Sequence, residues 1–152
     1  MGRTSEFSNA DQALIHRFAA GGGQPAVVDT NPLARALRCQ LLHADLGRGI
    51  VEVAFEPDPL FVQGTGVLQG GAVSAMLDFA MAFAVLANVP AGRSCATVTM
   101  STSFQRAAPQ GRYRAVGEVE RCGRTLAFAR ARLLRNGADE LVASATSTLA
   151  LI

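Results

Sequence analysis

Between Asp58 and Arg93 the chain carries one charged residue, Asp78, in the middle of a long apolar run. Residues 69–88 read Gln-Gly-Gly-Ala-Val-Ser-Ala-Met-Leu-Asp-Phe-Ala-Met-Ala-Phe-Ala-Val-Leu-Ala-Asn, with no proline and few β-branched side chains. A segment so rich in Ala, Leu and Met is predicted to be a helix. Its apolar residues fall on nearly every face, which marks a helix buried all round. A lone carboxylate in such a helix costs several kcal/mol or shifts its pKa unless a partner meets it. The helix is therefore expected to be the core of one domain, with Asp78 as its working group.

The same run raises the alternative of a membrane span. Gln69, Gly70, Gly71, Ser74 and Asp78 occupy its first half, and about eleven residues follow Asp78 before Pro90. A span needs about 20 mostly apolar residues, and a central Asp costs about 2.5–3.5 kcal/mol on insertion. A core helix with no membrane partner is the expectation.

At 152 residues and 49% hydrophobic content the chain suits one domain with a full core. The net charge of +2 makes no case for nucleic acid. All fourteen basic residues are Arg, eight of them between Arg106 and Arg135. Solvated strand faces are the plain reading of that run, although the guanidinium fork also suits phosphate. Cys39, Cys95 and Cys122 are odd in number and widely spaced. They form no metal or redox motif and read as small buried residues of a reducing compartment. With no apolar signal segment at the start, a cytoplasmic location is expected. Met1 to Ser8 reads as a flexible lead outside the fold.

In chain order, 9–20 is predicted as a short amphipathic helix capped by Asn9 or Asp11, with Leu14, Ile15 and Phe18 as its stripe. Asn31-Pro32 reads as an N-cap followed by N1 proline. Residues 1–30 are taken as lead and short helix, and 31–152 as the main domain. Strands follow over 38–44 and 49–56; in the second, Val51, Val53 and Phe55 alternate with Glu52, Ala54 and Glu56. His43 and His16 are left out of the chemistry. After the long helix, strands are expected over 94–106, 111–122 and 125–135. Turns at Pro109-Gln-Gly111 and Cys122-Gly-Arg124 would join them as a meander. Asn136-Gly137 is a hairpin signal before a last strand over 141–151. Two strands, one apolar helix and four antiparallel strands define an α+β fold with a curved sheet wrapped around a central helix. A second copy of the chain would close the helix's free side.

The run Gln63-Gly-Thr-Gly-Val-Leu-Gln-Gly-Gly71 followed by Asp78 resembles the hotdog-fold acyl-CoA thioesterases of the phenylacetate-degradation (PaaI-like) and 4-hydroxybenzoyl-CoA type. The resemblance covers about 33–152. Family members carry Asn or Gln, a short glycine-containing run, then His-Gly-Gly, with Asp or Glu nine residues after the His. Gln63, Gly70, Gly71 and Asp78 match that spacing, while the usual His is Gln69 here. Thr97-Val-Thr-Met-Ser-Thr-Ser-Phe-Gln-Arg-Ala-Ala-Pro109 looks like the family's following strand, and Gly123-Arg-Thr-Leu-Ala127 like its later turn. The resemblance implies hydrolysis of an aryl- or medium-chain acyl-CoA, with coenzyme A as part of the substrate and no other cofactor or metal. It also implies a site shared across a homodimer, and a tetramer built as a dimer of dimers.

The residues fit that chemistry on their own terms. Gly70 stands where the helix begins, so its N–H is unpaired and lies at the positive end of the helix dipole. It is the candidate oxyanion donor. Asp78 in an apolar pocket suits a general base, or it attacks directly and forms an anhydride. Eight residues of helix separate the two by about 12 Å, too far to serve one carbonyl from one chain. A two-fold dimer would bring Gly70 of one copy to Asp78 of the other. Gln63 would then sit beside Gly70, and Thr97 beside Asp78. Gln69 and Gly71 are candidate substrate contacts at the helix start. Ala82, with Ala75 and Ser74, leaves room for an acyl group. Phe79 and Phe83 read as core residues able to line it. Arg106 and Arg124 are candidates for the phosphates.

Gln69 can donate a hydrogen bond but cannot take up a proton. It therefore opens the alternative of a non-catalytic acyl-CoA binding or sensing module. A hotdog dehydratase or hydratase would need a histidine near the motif, and none is there.

Overall fold

The computed structural model describes residues 6–152; the first five residues of the expected lead lie outside them. Helix α1 (Ala10–Ala20) starts at Asn9, whose side chain accepts from the N–H groups of Asp11 and Gln12. Strand β1 (Ala26–Val27) is a two-residue addition that the sequence pattern does not announce. Asn31 caps the short α2 (Pro32–Ala36) by accepting from the Ala34 N–H, with Pro32 at the first helical position as expected. Strands β2 (Gln40–Asp45) and β3 (Ile50–Phe55) precede a single 3-10 turn at Pro59–Phe61 and the long helix α3 (Gly70–Asn88). Strands β4 (Cys95–Phe104), β5 (Tyr113–Cys122), β6 (Leu126–Arg135) and β7 (Glu140–Leu151) complete the chain.

All seven strands form one antiparallel sheet in the order β1-β2-β3-β5-β6-β7-β4. The sheet curls around α3, which is the hotdog fold. Val51, Val53 and Phe55 are buried as their alternation predicts. A floor of small residues, including Ala115, Ala129, Ala131, Ala143 and Ala145, lies under Met76, Leu77 and Met81 of the helix. Helix and sheet approach closely at Gly117, where a Cβ would stand 2.0 Å from the Ala80 carbonyl oxygen.

The expected meander is corrected at one point. β4 does not pair with β5; it crosses to the far edge and pairs with β7, with Met100 opposite Ser147 and Phe104 opposite Ala143. Residues 105–112 are therefore a crossing and not a hairpin. Their backbone is tied down on the way, where Gln105 and Arg106 donate to the Val142 carbonyl and Ala108 accepts from the Leu68 N–H. Pro109 bridges to Val67. β5–β6 and β6–β7 are the hairpins predicted at Gly123 and Gly137. Gly137 holds φ 89°, the left-handed geometry that glycine accepts without strain.

The helix is not enclosed on every side. Gly70, Gly71, Ser74, Ala75, Asp78, Phe79 and Ala82 are exposed or half-buried, whereas the residues between them are buried. Their spacing of three and four draws one stripe along α3 that the sheet leaves open. α3 is long and apolar enough to cross a membrane by length and composition, but most of it is buried inside the fold.

The amino-terminal helix is sutured to the far end of α3 by Gln12, which is fully buried. Its Nε2 lies 3.3, 3.4 and 3.0 Å from the carbonyl oxygens of Leu86, Val89 and Pro90. Its Oε1 accepts from the Gly92 N–H at 3.1 Å. One side chain thus ties the Leu86 carbonyl of the last turn of α3 to the backbone of the segment that follows it.

Candidate functional site

Asp78 projects from the middle of the open stripe of α3. The Thr97 hydroxyl on β4 donates to Asp78 Oδ1 at 2.8 Å, so one carboxylate oxygen is held and the other has no hydrogen-bond partner among the described residues. The expected sealing of Asp78 is corrected here: it is half-buried, because the stripe it stands on lacks a cover. It lies in a cavity of about 170 Å³ with Ala75, Phe79, Ala82 and Phe83. Phe79 and Phe83 meet edge to face, ring centroids 5.5 Å apart.

Cys95 lies in the same cavity, and its thiol is 3.8 Å from the Ala82 carbonyl oxygen. Burial, then the Asp78 and Asp11 carboxylates, push the Cys95 thiol up to about 11. The remaining wall comes from the amino-terminal elements through Asn9, Asp11 and Leu33. These four residues escaped the sequence reading. They sit on three separate segments, and no spacing within one segment records their convergence.

Gly70 belongs to a different opening, of about 360 Å³, at the start of α3. Gln63, Phe104 and Arg106 line it too. Gln63 Oε1 accepts from the Thr65 N–H at 3.0 Å and from the Thr65 hydroxyl at 2.9 Å. That fixes the carbonyl end of the amide and leaves its NH2 as the free donor. Gly70 is the first residue of α3, and its N–H makes no backbone hydrogen bond among the described residues. Gln69 is exposed and its side chain does not cap the helix.

Neither Gly70 nor Gly71 is required by the packing of its own chain. Both have ordinary φ values. A Cβ on Gly70 would meet only the Phe104 ring at 3.5 Å, and one on Gly71 would meet open space.

The two arginine candidates differ. Arg106 is ion-paired to Glu140 at 2.9 Å beside the Gly70 opening. Arg124 is exposed on the β5–β6 turn, where its carbonyl accepts from the Arg93 guanidinium at 3.2 Å. Its own guanidinium has no carboxylate partner among the described residues. The structure therefore gathers Asp78, Thr97 and Ala82 in one place, and Gly70, Gln63 and Arg106 in another. Arg124 stands apart from both.

The sequence pattern of the thioesterase superfamily matches residues 65–142, from the loop before α3 into β7. The chain belongs to the thioesterase superfamily. Its kin among solved structures share more than that segment. A phenylacetic acid degradation-related protein of Ralstonia eutropha JMP134 is 32% identical, with TM-score 0.76 over 90% of this chain and 98% of that one. A thioesterase family protein of Silicibacter pomeroyi is 27% identical, with TM-score 0.76 over 93% and 98%. A conserved protein of Pseudomonas aeruginosa is 26% identical, with TM-score 0.71 over 80% and 94%. No curated protein matches the chain. Membership places this thioesterase-superfamily chain among hydrolases of acyl-CoA-like thioesters, related to the phenylacetate-degradation type.

Proposed function

We propose that the protein is a cytoplasmic acyl-CoA thioesterase whose site is completed by a second copy of the chain. Asp78 of one protomer and the Gly70 N–H of its partner would act on the same thioester carbonyl. The observation that carries this reading is the separation of the half-sites. One opening holds an anchored carboxylate with a free oxygen, and the other holds a free helix-start amide beside two glycines. Neither half does acyl transfer alone, because the reaction needs an attacking group and an oxyanion donor about 3 Å from one carbon.

Two surface features favour the pairing. The stripe along α3 is uncovered, and β4 is an edge strand with Val98 and Phe104 more than half exposed at 58% and 55%. An unpaired, partly apolar edge is a ready template for a second chain. Association of two such dimers into a tetramer is part of the same proposal.

The chemistry then runs as follows. As base, Asp78 takes a proton from water through its free oxygen while Thr97 holds the other, and the hydroxide adds to the thioester carbonyl. As nucleophile, the same oxygen adds directly, and water opens the resulting anhydride. On either route the charge on the carbonyl oxygen falls on the Gly70 N–H at the positive end of α3. On the base route Asp78 passes its proton to the departing coenzyme A thiolate and is regenerated; on the nucleophile route the thiolate takes its proton from solvent. The Gln63 NH2 supplies a second donor beside Gly70. Gln69, Gly71 and Ala82 contact the substrate arm and acyl group; of the two arginines, Arg106 is the nearer to the Gly70 opening, and Arg124, with no carboxylate partner among the described residues, is the one free to take a phosphate that reaches the β5–β6 turn. Arg106 contributes only if it leaves Glu140.

Release of thiol from a panel of acyl-CoA esters tests the reading. Turnover by the wild type that collapses in Asp78→Ala supports it. Tight binding with no turnover favours a binding or sensing module instead, the alternative raised by the non-titrating Gln69.

A further inference from the structure

The cavity beside Asp78 is walled by α3 on one side and by the amino-terminal segment on the other. Leu33, at the start of α2, lines it opposite Phe79, Phe83 and Leu86. Leu33 is also 44% exposed, so it is a tip laid over the cavity and not a core residue.

Hydrogen bonds hold that tip in place. Thr30 and Asn31 both donate to Asp11 Oδ1, the second at 3.2 Å, which clamps the entry to α2 onto α1. Asn31 in turn caps α2 through the Ala34 N–H at 2.8 Å. α1 itself is fixed by Asn9, which donates to Ser94 Oγ at 2.7 Å, and by buried Gln12 on the end of α3. The roof is thus anchored at Ser94, the residue before β4, and at the end of α3, next to the two elements that carry Thr97 and Asp78.

The space it leaves is small. A closed apolar cavity of about 150 Å³ takes one benzene molecule; this one is about 170 Å³, with an apolar floor of Phe79, Ala82 and Phe83, the polar groups of Asn9, Asp11 and Asp78 at its rim, and one side open. Side chains held by satisfied polar networks do not yield easily to a larger guest. We propose that Leu33 is the specificity-determining residue for the acyl group, limiting it to about the bulk of a single ring. This inference rests on the assignment of Asp78 as the reacting group.

Leu33→Trp and Leu33→Ala test it against straight-chain acyl-CoA esters from acetyl to dodecanoyl, together with benzoyl-CoA. Both substitutions fall on a half-exposed side chain, and thermal unfolding checks that the fold is kept. Leu33→Trp narrows the cavity, so it should lower kcat/KM for benzoyl-CoA by at least tenfold more than for acetyl-CoA. Leu33→Ala opens the roof and should raise kcat/KM for decanoyl- and dodecanoyl-CoA by about tenfold, the scale of a few methylenes in a pocket. Wild-type chain-length profiles in both variants overturn the role of Leu33 while leaving the thioesterase reading intact. If the wild type hydrolyses none of the esters, that reading fails first. Calorimetric binding of benzoate and decanoate then decides the roof: it stands if benzoate binds the wild type and not Leu33→Trp, and falls otherwise.

Discussion

Gly117 of β5 and Ala80 of α3 meet backbone to backbone, so close that a Cβ on the glycine would stand 2.0 Å from the Ala80 carbonyl oxygen. Ala80 is two residues from Asp78, so this contact sets how deep the carboxylate rides over the sheet. Gly117→Ala must push the helix off its floor. It is expected to lose about 3 kcal/mol or more, or to yield no soluble protein, because overpacking a close contact moves backbone. Gly71→Ala, with open space around it, should unfold at nearly the wild-type temperature. Thermal unfolding of the pair decides the point.

The oxyanion donor can be removed without touching a side chain. Gly70 is the first residue of α3, where proline is tolerated, and Gln69 already holds ψ 139°, the extended geometry a residue before proline prefers. Gly70→Pro should therefore fold normally and lose about 10²–10³ in kcat, the scale for one oxyanion donor. Full activity in a folded Gly70→Pro would remove this amide from the mechanism.

Asp78→Asn keeps shape and removes the base or nucleophile. A loss of about 10²–10⁴ in kcat is expected, with little change in melting temperature. Thr97→Ala frees the held oxygen and should cost less, about tenfold, by loosening the carboxylate and not by removing it. Steady-state thiol release measures both. Equal losses in the two variants would show that Thr97 does more than position Asp78.

A shared site predicts complementation. Asp78→Asn and Gly70→Pro chains are each inactive alone, but a mixed dimer holds one intact pairing. Co-expression at equal levels should restore about a quarter of wild-type activity, since half of the dimers are mixed and each has one working site of two. Activity near zero in purified mixed dimers would place both groups in one chain's site after all.

The thiols give a separate check on the roof. Burial first, with the Asp11 carboxylate second, pushes Cys39 up to about 12, and Cys95 stands at about 11. At pH 8 the thiolate of Cys95 is then on the order of one part in a thousand, and that of Cys39 less. Cys122 is exposed. Iodoacetamide at that pH should label Cys122 alone within minutes by mass spectrometry. Fast labelling of Cys95 would mean that the roof opens in solution.

Much of this architecture is legible in the sequence because its signals are local. The long helix follows from composition, Asn9 and Asn31 cap as their types predict, and the β5–β6 and β6–β7 hairpins follow from glycine turns. The position of β4 is not local. Neighbouring strands usually pair, and Pro109-Gln-Gly111 has turn chemistry, yet backbone bonds to Leu68 and Val142 carry 105–112 across instead. The half-exposure of Asp78 was hidden for a related reason. Apolar residues on every face say that a helix wants cover, not which side its own chain supplies. Leu33, Asn9, Asp11 and Cys95 are joined only by the fold.

The crossing of β4 bears on how far along the chain the supports of the centre lie. The strand bearing Thr97 precedes β5 and β6 in the chain, yet among the described residues its mate in the sheet is β7, which follows both. The platform from which the threonine reaches the aspartate is thus assembled across some fifty residues of sequence, roughly the span from β4 to β7. Clipping within β7 should therefore silence an otherwise remote centre.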